Sequence, residues 1–132
     1  MNVEFNGPAV SKKRGFQHFF AAASYSWGGF VRLLRESAFR QELAFFAVAL
    51  IVVIAVGASL VEIVLTVVLF LALFAVEAMN TAIEEVIDRI SPEISNVGKY
   101  AKDLGSFAVL CMLLACGVFL LFVVGKHLLL AA

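Results

Sequence analysis

Apolar residues run without a break from Leu43 to Val61 except at Gly57 and Ser59, and both borders carry an acid, Glu42 and Glu62. At 1.5 Å per residue this stretch is about 28 Å long, close to the ~30 Å hydrocarbon core of a bilayer, and it predicts a first transmembrane span over about 43–61. A second apolar run, Ile63 to Val76, contains Thr66 as its one polar residue. It covers only about 21 Å, so the helix has to continue through Glu77 and Asn80 to complete a crossing. Pro92 marks its end, which places the second span at about 63–90. A third span, about 104–126, contains the apolar run from Ser106 to Gly125 and is followed by His127. The turn between the first two spans is expected near Gly57 to Glu62.

Ahead of the spans the period changes. Phe16, Phe19, Phe20, Ala23, Trp27, Phe30, Val31 and Leu34 gather, at a helical step, into an arc of about 120°, while Gln17, His18, Tyr25, Arg32 and Arg35 take other faces. This predicts an amphipathic surface helix over about 15–35 that lies in the headgroup layer. Gly28 and Gly29 give it a place to bend. The expected fold is all-α: one integral-membrane domain over residues 1–132, with the N-terminal surface helix and three transmembrane helices and neither repeats nor low-complexity tracts.

Composition agrees with the pattern. The chain is 63% hydrophobic with a mean hydropathy of +1.02, far above soluble usage. Ten basic and ten acidic residues cancel, so net charge points to neither nucleic acid nor a polyacidic partner. Their placement says more. Lys12, Lys13, Arg14, Arg32, Arg35 and Arg40 precede the first span, and Arg89, Lys99 and Lys102 lie between the second and third, leaving Lys126 for the other side. The positive-inside rule then puts the N-terminus and the second loop in the cytoplasm, with the chain multi-pass in the membrane. The short apolar patch after Arg14, interrupted by Gln17, His18 and Ser24, does not read as a cleavable signal. Cys111 and Cys116 lack metal-site spacing and read as packing residues.

Candidate chemistry sits in VEAMNTAIEEVIDRI, Val76 to Ile90, where Glu77, Asn80, Glu84 and Asp88 recur at spacings of three, four and four. On a helix these side chains share an arc of about 80°. A charged residue at the bilayer centre costs about 2.5 to 3.5 kcal/mol, so an intramembrane carboxylate is first a functional candidate. Counted from Glu62, Glu77 lies about 22 Å deep and Glu84 about 33 Å, so the stripe runs from the inner leaflet to the cytoplasmic interface. That depth suits a site that takes a water-soluble reagent from one side and a lipid headgroup from the other. Carboxylates there can hold Mg²⁺ together with the phosphates of ATP, and another can accept the proton of an attacking hydroxyl. The competing structural reading is that the stripe pairs with Arg89, Lys99 or Lys102 to hold the helices together.

Four segments in order, YSWGG at Tyr25 to Gly29, ESAFRQE at Glu36 to Glu42, the stripe itself and YAKDLGSFAVL at Tyr100 to Leu110, resemble the small prokaryotic diacylglycerol kinases. The resemblance implies a homotrimer of three-span subunits in the bacterial inner membrane, with sites shared between neighbours, making phosphatidic acid from MgATP and diacylglycerol. It implies Glu77 as general base and Glu36 and Glu84 as metal ligands. His18, Tyr25, Asn80, Glu93, Ile94, Ser95, Lys102 and Asp103 are implied at the nucleotide, and Trp27, Ala38, Phe39, Arg40, Gln41, Glu42 and Ser106 at the lipid. The family has no P-loop, and neither Gly98-Lys99 nor Gly125-Lys126 forms one here. The chain departs from the family where His18, Ala21 and Gly28 stand in place of basic residues, and the stretch from Trp27 to Glu36 is one residue short. Undecaprenol kinases share the central motifs, so the acceptor stays open. A proton-coupled transporter would also use a membrane glutamate, but the outer half offers it only Thr66 and Glu62.

Overall fold

The computed structural model describes residues 15–93 and 95–131, all in helices and short connections. Four helices follow in order: α1 (Phe16–Leu33), α2 (Ser37–Ala55), α3 (Leu60–Ile90) and α4 (Asn96–Ala131). The chain divides into two units at Arg32: the first holds α1 up to that residue, and the second, from Leu33, holds the bundle of α2, α3 and α4. In α1 the large apolar side chains Phe16, Phe19, Phe20 and Trp27 are exposed.

The three bundle helices are each long and apolar enough to cross a membrane. Neither proline of the chain falls inside a described helix: Pro92 stands in the connection between α3 and α4. At 31 and 36 residues, α3 and α4 are longer than a bilayer core requires, so both carry polar turns beyond it.

The first apolar run does not form one helix. α2 begins earlier, at Ser37, and stops at Ala55, so Leu60 and Val61 already belong to α3. Local chemistry explains the break. Gly57 takes φ +76, and the Ala58 N–H reaches the Val53 carbonyl while the Gly57 N–H reaches that of Ile54, both at 3.0 Å. This is a Schellman ending, in which glycine adopts the left-handed conformation without a Cβ clash. Ser59 then starts α3 with a capping box: its hydroxyl accepts the Glu62 N–H, and Glu62 Oε2 accepts the Ser59 N–H at 2.7 Å. Glu62 is therefore in the first turn of α3 and not in the loop.

One face of α3 is buried along its length: Glu62, Thr66, Phe70, Leu73, Glu77, Asn80 and Thr81. Phe70, almost fully enclosed, meets Phe45 edge-on with ring centroids 5.0 Å apart and Phe46 at the same distance. Ala49, Leu73, Val109 and Cys116 complete this core. In lipid such contacts hold helices together by close packing, since burial from one apolar medium into another brings little hydrophobic gain. Cys116 fills the core and Cys111 is exposed, both as free thiols.

Candidate functional site

The carboxylates of the stripe pass from buried to exposed along α3. Glu77 is 4% exposed, Glu84 is half-buried, and the Asp88 side chain is two-thirds exposed at 66%. Glu84 and Glu36 both lie within electrostatic range of Glu77, and Glu77 in turn within range of Glu42. Glu36 arrives from the start of α2, where it is the N-cap residue but makes no capping bond with its side chain. The bundle thus brings together acids from two helices around one buried glutamate.

Asn80 links this group to α4. Its Nδ2 donates to Glu84 Oε1 at 3.2 Å, while its Oδ1 is buried without a hydrogen-bond partner. Glu42 Oε2 is the other buried side-chain oxygen left without one among the described residues. Native structures rarely strand a buried acceptor, and such atoms mark places where a ligand, water or ion belongs.

The Pro92 end of the bundle carries the cations. Lys102 pairs with Asp88, and Lys99 with Asp103 on its own helix. Asp88, Ser91, Glu93, Ser95, Lys99 and Lys102 are among the residues that line an open cavity of about 220 Å³ there. The Ser91 hydroxyl donates to Glu93 Oε1 at 2.9 Å. The Glu93 backbone N–H, and after it this bond, hold that carboxyl below the usual carboxylate range.

Ion pairing therefore accounts for the exposed end of the stripe and not for its buried end. Asp88 has Lys102, whereas Glu84 takes a hydrogen bond from Asn80.

The remaining residues singled out in the sequence fall in different places. Ala38, Gln41 and Ser106 are exposed on the bundle, and His18, Tyr25 and Trp27 are exposed on α1, Trp27 stacking at 5.6 Å on Phe30. Phe39 is 1% exposed and packs edge-on against Phe74 at 5.3 Å, so within the chain its side chain is a core contact. Arg40 turns back along the chain, and its Nη1 donates to the carbonyls of Leu34 and Arg35 at 3.0 and 2.9 Å. Glu42 is buried. Ile94 lies outside the described residues.

Two features escaped the sequence reading. Gly105 packs directly on Asn80. Lys126 and His127, at the far end of α4, close on Glu62. The turn near Gly57 to Glu62 was expected from the sequence, but the contact of α4 with Glu62 was not.

As for a metal, no group of three or more His, Cys, Asp or Glu side chains among the described residues is placed to enclose one. Glu36 and Glu84 offer oxygen donors alone, a set that suits Mg²⁺, which typically takes one or two carboxylates and completes its shell with water and substrate phosphate.

Three apolar helices with acids buried between them, and cations and an open cavity at one end, define a membrane-embedded protein built to act where lipid meets water. The sequence profile of prokaryotic diacylglycerol kinases matches residues 24–124. Over 118 residues, 89% of this chain and 85% of the relative, it is 58% identical to a diacylglycerol kinase of Sinorhizobium sp. It is 37% identical over 97 residues to one from Escherichia coli strain K12, covering 73% of this chain and 80% of that one. A Haemophilus influenzae diacylglycerol kinase is 32% identical over 108 residues, 81% of this chain and 92% of its own length. The chain belongs to the prokaryotic diacylglycerol kinase family and is a lipid kinase.

Proposed function

We propose that this protein transfers the γ-phosphoryl group of ATP to the free hydroxyl of diacylglycerol, giving phosphatidic acid and ADP at the cytoplasmic face of the bacterial inner membrane. The observation that carries the reading is the burial of Glu77 between α3 and its neighbours, with Glu36 and Glu84 in range and Asn80 bound to Glu84.

In this mechanism Glu77 accepts the proton of the lipid hydroxyl as its oxygen attacks the γ-phosphorus. The bond from that phosphorus to the ADP oxygen breaks, and ADP leaves. Glu36 and Glu84 would hold Mg²⁺, which supplies neutralisation of phosphate charge. Lys102 adds a second cation near the phosphates, with Asp103, Asn80, Glu93 and Ser95 around the nucleotide. Phosphoryl transfer needs little covalent work from the protein, so positioning and charge dominate.

The cytoplasmic placement is supported by the distribution of cations. Arg89, Lys99 and Lys102 cluster at the Pro92 end, and Arg35 and Arg40 precede or open α2, against Lys126 alone at the Gly57 end. The exposed aromatic residues of α1 support a surface helix whose rings enter the acyl boundary. A homotrimer with shared sites is the family's expected state, and the exposed Ala38, Gln41 and Ser106 leave surface for a neighbour beside the buried acids. A transporter reading finds no support in the bundle: between Thr66 and Glu77 the buried face of α3 is Phe70 and Leu73.

The test is transfer of labelled phosphate from MgATP to diacylglycerol by the purified protein in mixed micelles, with undecaprenol as the competing acceptor. Diacylglycerol is expected to be the better substrate, and preference for undecaprenol would overturn the acceptor assignment. Glu77→Gln is expected to lower turnover by about 10²- to 10⁴-fold, the range of a lost general base, while the oligomer persists. Full activity in that variant would remove Glu77 from its role.

A further inference from the structure

Gly105 is buried on α4 where that helix crosses α3 beside Asn80. A Cβ at this position would lie 2.2 Å from Asn80 Oδ1, 3.3 Å from its Cγ and 3.7 Å from its Cα. The first distance is far inside van der Waals contact, and the second is tight as well. Swapping the amide oxygen and nitrogen by a χ2 flip leaves an atom in the same place, so it brings no relief. The amide would have to rotate about χ1 or part-way about χ2 to clear the space, and either rotation disturbs the 3.2 Å bond from Nδ2 to Glu84.

We propose that Gly105 is a positioning residue for the kinase reaction: the missing side chain is the slot that holds the Asn80 amide, and through it the Glu84 carboxylate, in working geometry. The proposal rests on the assignment of Asn80 and Glu84 to the nucleotide and metal. Two independent observations support it. The glycine leaves room for the Asn80 amide as it stands, which any Cβ would force to move, and the atom it accommodates is a buried acceptor without a hydrogen-bond partner. Oδ1 lies 2.2 Å from the place a Cβ would take on Gly105, so it sits against the α4 backbone side of the contact. Asn80 Oδ1 thus faces α4 rather than Glu84, which leaves Nδ2 as the donor toward the acid. Gly98, nearer the loop, shows the ordinary case: a Cβ there would meet Ile87 Cγ2 and Ser95 Oγ at 3.1 Å, contacts that small shifts can absorb.

The experiment uses the full-length protein in detergent or bilayers, with Gly105→Ala, Asn80→Ala and the double variant. Binding of Mn²⁺ with a non-hydrolysable ATP analogue is followed by electron paramagnetic resonance, alongside turnover and thermal unfolding. Gly105→Ala is expected to weaken Mn²⁺ binding at least tenfold and to lower kcat/KM by about 100-fold, as a displacement near 1 Å does in an active site. It should also lower the unfolding temperature. In the Asn80→Ala background the same substitution should no longer lower that temperature, because the clashing amide is gone and alanine is the better helix former.

Wild-type metal binding and turnover in Gly105→Ala would overturn the proposal. So would an equal loss of stability with and without Asn80, which would mean the glycine serves packing unrelated to the amide. If Gly105→Ala does not fold, recovery of a folded protein in the double variant supports the clash, and failure of both overturns it. Loss of the underlying assignment would look different: Glu84→Gln would bind Mn²⁺ and turn over like wild type.

Discussion

Glu62 Oε1 accepts a hydrogen bond from Lys126 Nζ at 2.9 Å, joining the first turn of α3 to the far end of α4 across 64 positions of sequence. His127 Nε2 approaches the other carboxylate oxygen at 3.0 Å, and the Ser59 N–H and hydroxyl donate to that same oxygen at 2.7 and 2.8 Å. One acid thus caps its own helix and pins the next. Its side chain is 9% exposed, whereas that of Lys126 is 43% exposed.

Removing the acid should therefore do more harm than removing the cation. Glu62→Ala strands Lys126, His127 and the open N-terminus of α3 together, and is expected to lower the thermal unfolding temperature in detergent by several degrees. Lys126→Met should cost less, since its partner keeps the other donors. Ser59→Ala loses the cap and the hydroxyl's bond to Glu62 but leaves Lys126 and His127 paired, and should cost about 0.5–2 kcal/mol. Unfolding followed by circular dichroism checks the order, and none of the three should alter the KM for MgATP, because this end of the bundle is remote in sequence and register from Glu77.

At the opposite end the balance reverses. Lys102 and Asp88 pair in an exposed setting, where such bridges contribute about 0–1 kcal/mol. Lys102→Met is expected to leave the unfolding temperature within a degree or two of wild type while lowering kcat/KM by about 10²- to 10³-fold, as loss of a charge-stabilising donor does. Asp88→Asn keeps the lysine and should retain most of the activity. Steady-state kinetics with MgATP varied, beside thermal melts of the same samples, separate the two effects.

Glu93 supplies a pH prediction. Its carboxyl is held below the ordinary value because the charged form accepts more strongly from its own N–H and from the Ser91 hydroxyl than the neutral form does. The stability this contact between Ser91 and Glu93 lends is fully present above the unfolded carboxylate pKa and fades as pH falls through the lowered folded value. Carboxyl carbon shifts in nuclear magnetic resonance should titrate below those of an unstructured glutamate. Ser91→Ala should move that midpoint back up, and an unchanged midpoint would show that the hydroxyl contributes nothing.

Much of the architecture was legible from residue order. Apolar runs, the second of them extended through Glu77 and Asn80, marked three candidate spans, and the spacing of Glu77, Asn80, Glu84 and Asp88 put them on one face, because both properties are carried within a single helix. The exact end of α2 was harder to read. An apolar tract hides a turn when the signal is one glycine and one capping serine, as at Gly57 and Ser59.

What the order of residues could not supply was which side chain on one helix stands opposite which on another. The family resemblance implied Phe39 at the lipid, and no periodicity of α2 told that within the chain its ring packs against Phe74. Nothing in the local sequence of Lys126 names Glu62 as its partner, and nothing around Gly105 names Asn80. Those pairings follow from the register at which α3 and α4 lie side by side, and register is decided by how knobs and gaps on two surfaces fit. A single helix determines its faces, and only the assembled bundle determines what each face meets.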